Sequence, residues 1–138
     1  MSDTPILPPL PGPPPDTVRE MFDLAPTQGP LTSFHGRHPD APQWFTDTVA
    51  KIPQSSFVEV KGARIHYLRW GDRTRPGLLL VHGNAAHAYW WSFIAPFLAR
   101  DYNVAAMDLS GMGDSDWREH YSMELFAEQH LAVSTDAG

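Results

Sequence analysis

Hydrophobic positions change character along this chain, and the changes mark out elements. Phe57 to Val60 (FVEV) and Arg64 to Trp70 (RIHYLRW) alternate apolar and polar residues, and Lys61-Gly62-Ala63 lies between them. That pattern predicts a β-hairpin. Gly71 to Gly77 is a charged turn. Leu78 to His82 (LLLVH) is continuously apolar, as in a strand covered on both faces. Asn103 to Met107 (NVAAM) is a second such strand and runs into Asp108. Between them, Trp90 to Arg100 puts Ile94, Phe97 and Leu98 at helical spacing, while Pro96 should kink the helix or confine it to two short pieces. Met123 to Val133 reads as an amphipathic helix with Ser122 as N-cap, Glu124 in the first turn, and Met123, Ala127 and Leu131 as its apolar stripe. Hairpin, buried strand, helix, buried strand, helix: the order predicts an α/β fold with parallel crossovers and flanking helices.

The pattern is weaker upstream. APQWFTDTVAKIP predicts a short helix around Trp44 to Ala50, ended before Pro53. Residues 41–56 thus form a helical leader ahead of the domain at 57–138. PTQGPLTSFHGRHPDAP reads as loop, and Asp16 to Leu24 could form a short helix capped by Asp16. Seven of the fourteen prolines fall in Pro5 to Pro15 (PILPPLPGPPP). Proline removes donors and fixes φ, so residues 1–40 are expected to be a largely disordered Pro-rich tail and loop. PPLPGPPP has the form of an SH3 or WW ligand. No arginine flanks it closely, and a solvated tail is the expectation.

Composition removes several function classes. A net charge of −6 with no Lys/Arg run gives no footprint for nucleic acid or anionic lipid. With no cysteine there is no disulfide, catalytic thiol or thiolate metal site. No apolar run approaches the ~20 residues that span a bilayer. A soluble cytoplasmic protein is therefore expected. His35 and His38 lack carboxylate or thiolate companions in sequence, so they read as loop residues, and neither a metal nor another cofactor is expected.

Chemistry concentrates at strand ends. Ligands in open α/β sheets bind beyond the carboxyl ends of strands. His82-Gly83-Asn84 sits at such an end, where Gly83 permits a sharp turn and the amides of Asn84 and Ala85 could face a cleft. A plain turn with a capping Asn is the alternative. The second buried strand ends in DLSGMGDSDW, an Asp-x-x-Gly-x-Gly-x-Ser arrangement at Asp108, Gly111, Gly113 and Ser115. Taken together and in this order, these motifs resemble the α/β-hydrolase superfamily over roughly Phe57 to Gly138.

The resemblance implies roles. The Asn84 backbone amide would supply one oxyanion-hole donor. His82, Gly83 and Ala85 would support that loop, with His82 as brace and not as base. Asp108, Gly111, Gly113 and Ser115 would form a structural turn. His87, Tyr89, Trp90 and Trp91 could line a pocket mouth. Many relatives carry Pro where this chain has Ala85. His-Gly-Asn is also similar to haloalkane dehalogenases, where the Asn side chain helps hold halide.

No Gly-x-Ser-x-Gly or Gly-x-Asp-x-x-Gly elbow occurs in the chain, and GDSDW around Ser115 is not one. The resemblance places nucleophile, acid and catalytic His after Gly138, so these residues read as the N-terminal half of a hydrolase domain, inactive as a fragment. The expected parent is a serine hydrolase on small ester-like substrates. The alternative is a dehalogenase or epoxide-hydrolase type with an Asp nucleophile, decided at the elbow. A half sheet would leave the Leu78–Val81 strand with an open apolar edge and would be poorly stable alone. Readings of another class are a non-catalytic interaction protein and, last, a metal module built from His35, His38, His82 and His87.

Overall fold

Two left-handed residues set the hairpin. Lys61 (φ 47°) and Gly62 (φ 78°) make the two-residue turn whose twist suits a hairpin. It joins β1 (Gln54–Val60) to β2 (Ala63–Trp70) in antiparallel register, with Phe57 opposite His66. β1 starts three residues before the expected Phe57, because Gln54, Ser55 and Ser56 pair through their backbones with Arg69, Leu68 and Tyr67. Side-chain pattern carries no record of that pairing.

β2 is flanked on its other side by β4 (Asn103–Met107), again antiparallel, and β4 pairs in parallel with β3 (Gly77–Val81). The resulting order is β1-β2-β4-β3. The expected alternation of β2 is not observed. Ile65 through Leu68 are all buried, since β2 is an interior strand with both faces covered. Every residue of β4 is buried too, whereas Leu78 to Val81 of β3 remain half-buried. Among the described residues β3 has one neighbouring strand, so its apolar side chains are covered above and below but not at the edge.

The structure is a computed structural model that describes residues 32–35 and 37–138. The chain divides into two units, Met1–Asp40 and Ala41–Gly138. In the first, a 3-10 turn at Thr32–Phe34 is followed by an Arg37 N–H bond to the Phe34 carbonyl of 2.9 Å. The expected Pro-rich tail and the helix over Asp16–Leu24 lie outside the described residues.

In the second unit the sheet divides the core into two layers. Val60, Ile65, Tyr67, Ala105 and Met107 face Val133 and Ala137, with Leu79 and Val81 packed alongside. Leu68, Trp70, Val104 and Ala106 face Ala88 and Ala95, with Leu78, Leu80 and Trp91. The leader helix α1 covers Gln43–Val49, close to expectation. Pro96 has the effect its chemistry dictates: a 3-10 turn (Ala88–Trp91) and a single-turn helix α2 (Ala95–Leu98) replace one longer helix, with the proline in the first turn where no N–H is needed. No helix among the described residues is long and apolar enough to cross a membrane.

Helix α3 (Met123–Ala137) corrects the expected stripe. Ser122 caps it, its hydroxyl accepting from the Leu125 N–H at 3.2 Å. Yet Met123 and Leu131 are 77% and 69% exposed, and Ala127 is exposed as well. The buried face is Gln129, Val133 and Ala137. Polarity hid it, because Gln129 is buried with its amide donating to Ser110 Oγ (2.8 Å) and accepting the Ser110 N–H (3.2 Å). The helix also runs four residues past the expected Val133, and Asn103 Nδ2 donates to the Ala137 carbonyl at 2.9 Å to close its end. Val133→Ala should therefore lower the unfolding free energy by about 2 kcal/mol, and Leu131→Ala by less than about 0.5 kcal/mol. Urea titrations of the two variants check this, and a larger loss from Leu131→Ala would place the wrong face inward.

Candidate functional site

Asp108 follows the last residue of β4 and is 1% exposed. One carboxylate oxygen, Oδ1, accepts the Ala88 N–H at 2.5 Å. The other, Oδ2, accepts from His66 Nδ1 at 2.7 Å and from the Asp114 N–H at 3.0 Å. Burial pushes this carboxyl upward, but the bonds from His66 and the two amides outweigh it and hold it below the usual carboxylate range. The glycine at 113 is obligatory here: its φ is +52°, and a Cβ would lie 2.3 Å from the Asp108 carboxyl carbon. Ser115 Oγ donates to the Asp108 carbonyl and accepts the His66 N–H, each at 2.8 Å. At 5% exposure and with both roles filled, Ser115 is part of the turn and not a free nucleophile. Gly111 (φ +81°) closes the turn against the Tyr121 hydroxyl.

The corner follows β3. His82 is 4% exposed, and both ring nitrogens are engaged. Nε2 accepts the Leu109 N–H at 3.2 Å, so Nδ1 carries the proton and donates to the Gly83 carbonyl at 2.7 Å. The ring thereby ties the end of β3 to the residue after Asp108. Gly83 does not supply the special backbone conformation expected of it: its φ is not left-handed, and a Cβ there would meet nothing within 4 Å. The left-handed residue is Ala85, at φ 56°. Proline, fixed near −65°, could not take that conformation. Asn84 is exposed, and neither its amide nor that of Ala85 finds an acceptor among the described residues. Two exposed backbone donors at a strand end, with no protein acceptor among the described residues, can hold an anionic oxygen or a carboxylate.

Beyond the corner, His87, Tyr89 and Trp90 line a groove of about 440 Å³ with Phe45, Val49, Ser92 and Phe93. Trp90 is 61% exposed. Trp91 does not join them. It packs against the Leu68 and Ala95 layer, because consecutive residues of a 3-10 turn point to different sides. Among the described residues the one group of three possible metal ligands is His66, Asp108 and Asp114, and it includes none of His35, His38, His82 or His87. Its central atoms are already bonded to one another and to backbone amides, which makes it a brace.

Sequence reasoning missed His66, the acid's partner across the sheet, and the Ser55 hydroxyl 2.9 Å from His66 Nε2. A histidine between apolar residues in the run RIHYLRW was the available signal. It also missed the pairing of Arg64 with Asp116, 3.1 Å apart and exposed.

Because the folded carboxyl titrates below its unfolded value of ~3.9, Asp108 stabilises the fold fully above that pH and progressively less as pH falls through the lower folded value. Asp108→Asn should cost about 3 kcal/mol at neutral pH, and the difference from the parent should shrink below about pH 4. Urea titrations across pH measure both quantities. A gap that does not change with pH would contradict the assignment.

The family model described as alpha/beta hydrolase fold matches residues 76–137, which contain β3, the corner, β4, the Asp108 turn and α3. Epoxide hydrolase 3 of Xenopus tropicalis is 32% identical over 120 residues, covering 83% of this chain and 31% of that protein. A haloalkane dehalogenase of Sphingobium indicum is 38% identical over 74 residues, covering 54% of this chain and 24% of that protein. Among solved structures, epoxide hydrolase A from Mycobacterium thermoresistibile superposes with a TM-score of 0.58 at 30% identity, over 62% of this chain and 28% of that one. The chain thus spans about a third or less of the length of these relatives. Its hairpin, parallel strand pair and flanking helices are the N-terminal part of an α/β-hydrolase sheet, and over that region the chain belongs to the α/β-hydrolase superfamily.

Proposed function

We propose that these residues supply the oxyanion corner of a hydrolase that opens epoxides or displaces halide from small haloalkanes, using an Asp nucleophile that lies outside the 138 residues. The observation that carries this reading is the exposed Asn84 beyond the carboxyl end of β3, whose side chain sits beside two backbone amides with no acceptor among the described residues. The proteins this chain is similar to bear epoxide hydrolase and haloalkane dehalogenase names. The exposed Asn84 side chain, with no partner among the described residues, suits a halide or an epoxide oxygen. In this reading His82 braces the corner, Ala85 turns the two amides outward, and His87 and Trp90 border the substrate entrance.

A second reading keeps the corner and changes the nucleophile. Amide donors of this kind also stabilise the tetrahedral oxyanion of acyl transfer, which suits a serine hydrolase on small esters. The chemistry separates the two by where the product oxygen comes from. An attacking carboxylate forms an alkyl ester on the enzyme, and water then cleaves it at the carboxyl carbon. The first-turnover alcohol or diol therefore carries an oxygen of the enzyme. A serine acyl-enzyme releases an acid that carries the oxygen of water.

Single turnovers of the full-length protein in ¹⁸O-water, on an epoxide, a haloalkane and an activated ester, test this directly. The expected result is an unlabelled first-turnover product from the epoxide or haloalkane. Asn84→Ala should slow halide release by about 100-fold and leave ester cleavage little changed, since the amide survives. Turnover of the ester alone, with labelled acid as product, would overturn the Asp reading in favour of the serine one.

A further inference from the structure

Ser55, His66 and Asp108 form a hydrogen-bonded series across three strands' worth of structure, apart from the corner. Ser55 and Phe57 lie two residues apart on β1 and so share a face, and Phe57 is the register partner of His66. Ser55 is thereby a diagonal neighbour of the imidazole. Its Oγ lies 2.9 Å from His66 Nε2, and His66 Nδ1 lies 2.7 Å from Asp108 Oδ2. An ionised carboxylate only accepts, so Nδ1 carries the ring proton and Nε2 presents its lone pair to the serine hydroxyl.

Burial is graded along the series. His66 and Asp108 are each 1% exposed, while Ser55 stands in the open on an edge strand. The Phe57 ring, 5.0 Å from the imidazole, covers it, and the Arg64 guanidinium lies over Phe57. Hydroxyl, imidazole and buried carboxylate in this order activate a serine, and the arrangement is recognised by geometry and not by position in the chain. Asp108 itself is fixed by the Ala88 and Asp114 amides, so the base is oriented without any movement. Ser56, on the opposite face of the same strand, has no such partner and serves as an internal control.

We propose that Ser55 is a reactive serine, a covalent modification site for activated acyl and phosphonyl electrophiles, separate from the corner at His82–Ala85. With a fluorophosphonate, the Ser55 Oγ–P bond forms as the P–F bond breaks. Fluoride leaves and the hydroxyl proton passes to His66 Nε2, where the Asp108 carboxylate stabilises the imidazolium. The phosphonyl ester formed on Ser55 is the adduct that the probe reads.

The test uses the full-length protein, a fluorophosphonate probe and tryptic mapping. Cleavage after Lys51 and Lys61 releases Ile52–Lys61, which holds both Ser55 and Ser56. The adduct should form on Ser55 about 100-fold faster than on Ser56 and should vanish in Ser55→Ala. Replacing His66 risks the fold, so ¹⁵N NMR of its ring is the second measurement, expected to show the neutral ring protonated at Nδ1 and bare at Nε2. Equal labelling of the two serines, no adduct, or a ring protonated at Nε2 in its neutral form would each overturn the proposal. Loss of corner function in Asn84→Ala does not affect this outcome, so the two proposals fail separately.

Discussion

The carboxylate of Asp108 holds the second unit together at the place where chemistry is expected. It accepts three hydrogen bonds, from the His66 ring on β2, from the Ala88 amide just after the corner, and from the Asp114 amide in its own turn. A carboxylate this deeply buried costs several kcal/mol if left unpaired, so the three donors and the carboxylate depend on one another. Removing Asp108 would release two loops and one strand at once. Gly113 is required twice over, by its positive φ and because no side chain fits between the turn and that carboxylate.

That arrangement holds the corner so that two of its exposed amides have no protein acceptor among the described residues. The segment from Gly83 to His87 is fastened at both ends: His82 bonds the Gly83 carbonyl and the Leu109 amide, and Ala88 bonds Asp108. Asn84 and Ala85 lie between the two attachments. They are displaced from any sheet partner without being free to collapse onto one. Preorganisation of this kind is what makes an amide pair useful to a developing negative charge, because the donors need no reorientation when the charge appears.

The apolar runs made β3 and β4 legible in the sequence, since strands covered on both faces must be apolar throughout. Lys61-Gly62 and Pro96 were equally clear, because their backbone restrictions are local. The buried face of α3 was hidden: Gln129 is polar, and only its pairing with Ser110 justifies its burial, a contact between residues nineteen apart. His66 was hidden for the same reason, as its partners Ser55 and Asp108 come together only once the hairpin and β4 are side by side. Gly83 misled in the other direction. Glycine suggests a special conformation, yet the left-handed residue proved to be Ala85.

Amide hydrogen exchange in the full-length protein tests the central claim most directly, namely that Asp108 clamps the segment after a corner whose amides are free. The Ala88 amide should exchange among the slowest in the loop, and those of Asn84 and Ala85 among the fastest. In Asp108→Ala, which removes both acceptor oxygens, the Ala88 protection should be lost while the β4 amides stay protected. Exchange of Ala88 as fast as Asn84 in the unaltered protein would contradict the account.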